Sequence, residues 1–140
     1  MVTEAGDRQR AARDHYCIPS IISSKENDVA SDRVTIIDPN RPLLTLINVY
    51  EVAPGKQAEL VQLLADATEK VMRHQPGFVS VNIHRSIDGT RVVNYAQWAS
   101  KEDFERMMKS PGAQGQIKQL AALAKSVSPA LYEVSSIHRS

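Results

Sequence analysis

The chain has 140 residues, 42% of them hydrophobic, 24% charged and only 5% aromatic, a balance that fits one ordinary soluble domain and excludes two independent ones. Lys plus Arg number 17 against 16 Asp plus Glu, so the net charge of +1 builds no broad basic field, and nucleic acid is not an expected partner. No apolar run approaches the ~20 residues of a membrane span. The N-terminus lacks the apolar segment of a secretory leader and the lone Cys17 cannot form an internal disulfide, which together place the expected location in the cytoplasm, away from membranes.

Residues 1–40 read as an N-terminal arm and 41–140 as the folded domain. The first 30 residues mix charges with Ser, Asn and Gly and sustain no apolar period, apart from a short helical pattern over 7–15. Residues 33–38 predict a short strand, stopped by Pro39 and Pro42. Residues 43–51, rich in aliphatic and β-branched side chains, predict the first regular strand, ended by Pro54-Gly55. A helix follows, with Leu60, Leu64, Ala67 and Val71 on one face, and Pro76-Gly77 stops it. Residues 78–86 alternate Val79, Val81 and Ile83 against Ser80, Asn82 and His84. Asp88-Gly89 is a strong hairpin signal handing over to a strand at 91–99. Ser100 and Asp103 form a capping-box pattern that opens a helix through Phe104, Met107 and Met108, which Pro111-Gly112 interrupts. A further helical stretch carries Ile117, Leu120, Ala121 and Ala124, up to Ser128-Pro129, and residues 130–138 predict the last strand.

The order βαββαβ implies an α+β, ferredoxin-like fold, with a four-stranded antiparallel sheet covered on one face by its helices. The other face, carrying Val93 and Tyr95 or else the Val79, Val81 and Ile83 set, is too apolar to stay in water, so a homodimer packed sheet to sheet is expected.

There is no glycine-rich phosphate loop, no His or Cys pair at metal-ligand spacing and no nucleophile elbow, so no metal or cofactor is expected. Two asparagines in strand interiors stand out, Asn48 and Asn94, because Asn is depleted there. Asn48 shares parity with Leu44, Leu46 and Tyr50. Asn94 shares parity with Val92, Ala96 and Trp98, the single tryptophan. In this topology the first and third strands are neighbours, so the two amides can converge. Asn94 and Trp98, four residues apart, bracket roughly 13 Å of strand, the length of a few fused rings. His84 is the one mid-strand histidine, and Met107 and Phe104 sit where a helix would wall a pocket.

Three stretches, Leu46-Ile47-Asn48-Val49-Tyr50-Glu51-Val52, Gln75-Pro76-Gly77-Phe78-Val79 and Asp88-Gly89-Thr90-Arg91-Val92-Val93-Asn94-Tyr95-Ala96-Gln97-Trp98, resemble the antibiotic biosynthesis monooxygenase family of dimeric α+β barrels. The last is especially similar to the cofactor-independent, quinone-forming monooxygenases of aromatic polyketide pathways. The resemblance covers about residues 43–137 and implies catalytic roles for Asn48, Asn94 and Trp98, with Tyr50, Phe104, Met107 and His84 as the expected binding residues. It departs at Phe104, where some members carry Tyr, and near Ile117, where some carry Arg. A haem-degrading branch is disfavoured, because Met107 and Gln116 stand at its Trp and His positions and no histidine occurs between Arg85 and Ile137.

The reading that follows is a cofactor-free monooxygenase that converts an anthrone-like phenolic polycycle to a quinone with O2. Its rivals are a non-catalytic small-molecule-binding dimer and an isomerase, for which His84 is the candidate base.

Overall fold

The computed structural model describes residues 33–140, so the helical pattern at 7–15 and Cys17 lie outside the described residues. Residues 37–140 form one compact unit. Its elements are β1 (Leu44–Glu51), α1 (Gln57–Lys70), a 3-10 turn (Met72–His74), β2 (Phe78–Arg85), β3 (Arg91–Trp98), α2 (Lys101–Lys109), α3 (Pro111–Leu123) and β4 (Ser126–Tyr132). The sheet is four-stranded and antiparallel, in the order β2-β3-β1-β4, which is the expected ferredoxin-like arrangement. No helix among the described residues is long and apolar enough to cross a membrane.

Local chemistry sets most boundaries. The Asp88 carboxylate accepts from the Thr90 amide at 3.0 Å and from the hydroxyls of Thr90 and Ser86, both at 2.7 Å, while Gly89 takes a φ of 79° that only glycine adopts cheaply. These hydrogen bonds hold the Asp88 carboxyl down, at about 2. Gln57, in the first turn of α1, ties that helix to the hairpin base by donating to the carbonyls of Ser86 and Arg91, each at 2.9 Å. The Ser100 hydroxyl caps α2 by accepting from the Asp103 amide at 3.1 Å. Ser110 ends α2 and also caps α3, where Pro111 fills the first turn without wasting a donor.

Three expectations are corrected. Residues 34–38 form no strand; a turn follows directly, with the Arg41 amide donating to the Asp38 carbonyl at 3.1 Å. β4 begins at Ser126 rather than 130 and ends at Tyr132, so Pro129 lies inside a strand. An edge strand tolerates proline because one of its sides needs no ladder donor. In β2 the register slips between Phe78 and Ser80, which sets Phe78 opposite Trp98 and removes Val79 from the simple alternation with Val81 and Ile83.

The helices cover one sheet face, and the core beneath them falls into two clusters. One joins Tyr50, Val52, Leu60, Leu64, Val92 and Leu120. The other joins Leu46, Ala96, Trp98, Met107 and Ala113. Along β1 the clusters meet between Leu46 and Tyr50, and along β3 between Val92 and Ala96. The residues in those two gaps are Asn48 and Asn94.

Candidate active site

Strand pairing brings the two asparagines together. Asn48 and Asn94 are direct partners across β1 and β3, so both side chains rise from adjacent strands toward the helices. On the same face Trp98 pairs with Leu44 of β1 and Phe78 of β2. Its ring is met edge-on by Phe78, with centroids 5.6 Å apart, and by Phe104 of α2 at 6.1 Å. Trp98 is 2% exposed, so its ring is fixed by packing.

Between the sheet and the helices lies a cavity of about 360 Å³, within the size range of small-molecule sites. Leu46, Asn48, Tyr50, Asn94, Ala96 and Trp98 form its floor. Helix α1 contributes Leu64, Ala67 and Thr68, and α2 contributes Phe104, Met107 and Met108. Ile117 and Leu120 of α3, with Val127, Pro129 and Leu131 of β4, complete the wall. The lining is apolar apart from Thr68, Tyr50, the two carboxamides and the indole N–H.

Three of those polar atoms are buried with no hydrogen-bond partner among the described residues: Asn48 Oδ1, Asn94 Oδ1 and Trp98 Nε1. Each orphan of this kind costs the folded protein about 1–3 kcal/mol. Three at one cavity mark a place where the fold keeps polar capacity that its own chain does not use. Asn48 Nδ2 donates to the Tyr50 hydroxyl at 3.0 Å, which occupies one of its two hydrogens and leaves the other. Burial pushes the Tyr50 phenol up to about 12, so it is neutral at ordinary pH. Among the described residues no group of three or more His, Cys, Asp or Glu side chains is placed to hold a metal ion.

The structure thus sets Asn48, Asn94, Trp98, Tyr50, Phe104 and Met107 around one cavity. His84 is not among them. It pairs with Val93 on the opposite sheet face and is exposed, because strand alternation separates it from Ile83 on the cavity side. An isomerase reading therefore loses its candidate base. Sequence reasoning also missed the β4 wall: the alternation Val127, Pro129, Leu131 was the available signal, and the proline hid it.

The sequence matches the family described as antibiotic biosynthesis monooxygenase over residues 43–119. The chain belongs to that family. The tetracenomycin-F1 monooxygenase of Streptomyces glaucescens is 53% identical over 78 residues, which are 56% of this chain and 70% of that protein. Among solved structures, the ActVA-Orf6 monooxygenase of Streptomyces coelicolor, in complex with nanaomycin D, is 28% identical with a TM-score of 0.65, covering 74% of this chain and all (100%) of that one. SnoaB, a cofactor-independent oxygenase from Streptomyces nogalater, is 28% identical with a TM-score of 0.61, covering 69% of this chain and 96% of that one. This member of the antibiotic biosynthesis monooxygenase family has monooxygenase activity, and its matched segment contains both asparagines and Trp98.

Proposed function

We propose that the protein is a cofactor-independent monooxygenase that oxidises an anthrone-like phenolic polycycle to a quinone, acting as a cytoplasmic homodimer. The observation that carries this reading is the trio Asn48, Asn94 and Trp98 on the floor of a largely apolar cavity, each with polar capacity that no described residue uses. The likeness to SnoaB, a cofactor-independent oxygenase, and to a monooxygenase crystallised with nanaomycin D supports it.

The chemistry needs little from the protein beyond placement and electrostatics. A ring methylene flanked by phenolic rings loses a proton to give a delocalised anion. That anion passes an electron to O2, and the radical pair recombines to form a carbon–peroxide bond. Proton uptake and loss of the remaining ring hydrogen break the O–O bond. The balance is one CH2 and one O2 giving one C=O and one H2O. The free Nδ2 hydrogens of Asn48 and Asn94 and the indole N–H of Trp98 are the donors that stabilise negative charge on the substrate oxygen. Donors fixed in a low-dielectric site act strongly because they need no reorganisation as charge develops. Trp98, in T-shaped contact with Phe78 and with Phe104, presents a rigid wall against which flat rings stack.

For the dimer, the sheet face turned away from the helices carries Ile47, Val93, Tyr95 and Tyr132, and a second, more open hollow of about 490 Å³ lies there between Thr45, Ile47 and the segment after β4. Packing two such faces together buries them.

The test is O2 uptake with a hydroxylated anthrone in metal-free buffer. Stoichiometric quinone formation by the purified protein, above the spontaneous rate, is the expected result. Turnover no faster than the uncatalysed oxidation sinks the proposal.

A further inference from the structure

Met72, Met107 and Met108, the methionines among the described residues, all line the cavity. A thioether is soft and open to oxidation, unlike the Leu and Ile side chains that fill such space equally well. Met107 and Met108 are consecutive on α2, so roughly 100° of helix rotation separates them. Met107 is 5% exposed and belongs to the core cluster of Leu46, Ala96 and Trp98, against which Met72 also packs. Met108 lines the same cavity but is 40% exposed. Ala96 lies between Asn94 and Trp98 on the cavity face of β3, so Met107 shares its cluster with the strand segment that carries two of the three proposed donors.

We propose that Met107 is a modification site, oxidised from inside the cavity by the hydroperoxide that substrate and O2 form there, and that its sulfoxide ends the working life of the site. This rests on the cavity being the catalytic site proposed above. A substrate hydroperoxide that does not collapse to the quinone passes its outer oxygen to the sulfur. The O–O bond breaks, an S–O bond forms, and the hydroperoxide proton stays on the substrate as an alcohol O–H. The sulfur loses two electrons and the peroxide gains them, so no other oxidant or reductant takes part. A reagent held beside its target reacts as though at very high concentration, so a peroxide formed in the cavity reaches Met107 although little of that side chain meets bulk solvent. The sulfoxide is polar, and it disrupts an apolar cluster that includes Trp98.

The experiment follows the sulfoxides of Met107 and Met108 in the full chain by peptide mass spectrometry, with Met108 as the internal reference. Hydrogen peroxide alone is expected to oxidise Met108 ahead of Met107, in the order of their exposure. Turnover of 1,8-dihydroxyanthrone under isotopically labelled O2, with catalase removing free peroxide, is expected to invert that order and to place labelled oxygen on Met107. Quinone formation with Met107 left intact, or the same order in both treatments, overturns the proposal. Met107→Leu, close in volume, is expected to raise severalfold the total turnovers that each chain completes before it stops. An unchanged total overturns the link between the sulfoxide and the loss of activity. The mapping uses no variant, so it decides whether or not Met107→Leu folds. Should the unsubstituted chain form no quinone above the spontaneous rate, the functional reading falls, and cumene hydroperoxide, which carries its own peroxide and needs no turnover, decides whether the cavity delivers oxygen to Met107. Met107 oxidised ahead of Met108, and protected by excess 1,8-dihydroxyanthraquinone, is then the expected result, and Met108 ahead of Met107 overturns the proposal.

Discussion

Asn48 and Asn94 face each other across adjacent strands, and the side-chain oxygen of each is buried with no described residue to accept from. A sheet built for stability alone would carry aliphatic residues at both positions and fuse the two core clusters into one. Stability and activity are therefore expected to part company at this pair.

Asn94→Ala is predicted to lower the rate of anthrone oxidation by about 10²- to 10³-fold, the typical effect of deleting an oxyanion donor. It also removes an unsatisfied acceptor, so the urea midpoint should stay level or rise. Parallel loss of activity and stability would mean that Asn94 is structural.

Tyr50 supplies the pH dependence. Its folded value of about 12 lies above the ordinary tyrosine value of about 10, because burial favours the neutral phenol. Its contribution to stability is thus fully present below about pH 10 and is lost as pH rises through 12. Tyr50→Phe should remove that part of the alkaline unfolding profile. Between about pH 6 and pH 9 Tyr50 stays neutral, so the midpoint of the turnover profile should track the acidity of the substrate. Two anthrones of different acidity that share one midpoint would contradict this.

Gly77→Ala is predicted to destabilise the fold by about 2 kcal/mol or more. Gly77 has a φ of 82°, and a Cβ there would run into the Asp103 side chain of the α2 cap. Its carbonyl also accepts from the Ala99 amide at 2.7 Å, so strain at this point reaches both strands at the end of the β2–β3 pair away from the hairpin. A urea melt measures it, and an unchanged midpoint would show that Asp103 yields freely.

Tyr95→Lys places a charge on the sheet face opposite the helices, in register with Ile47. Sedimentation is expected to show a dimer for the unsubstituted chain and a monomer for this variant, with little change in secondary structure. A dimer that persists would move the interface elsewhere.

The floor of the site was legible in the sequence because strand parity admits no drift: two residues along β1 or β3 always return to the same face. Parity puts Asn48 beside Tyr50 and Asn94 beside Trp98, and the β1–β3 register, which sets Asn48 opposite Asn94, brings the two pairs to one side. Features that break the alternation were not legible. The slip at Phe78/Ser80 comes from pairing, which no single strand reveals. Pro129 reads as a stop in isolation, and only its edge position makes it compatible with β4. Residues 34–38 have the β-branched composition of a strand and form none, because composition cannot supply a pairing partner. His84 was misplaced by the opposite error, in which the rarity of a residue type outweighed the side of the strand it occupies.

The single tryptophan of the chain is also a wall of its cavity. The protein therefore carries its own optical reporter in the wall of the proposed site. Indole emission, excited selectively, comes from no other site in the molecule, and any flat, coloured guest stacked against it should quench it. Libraries of candidate guests can be ranked by that signal with no label attached and no turnover required.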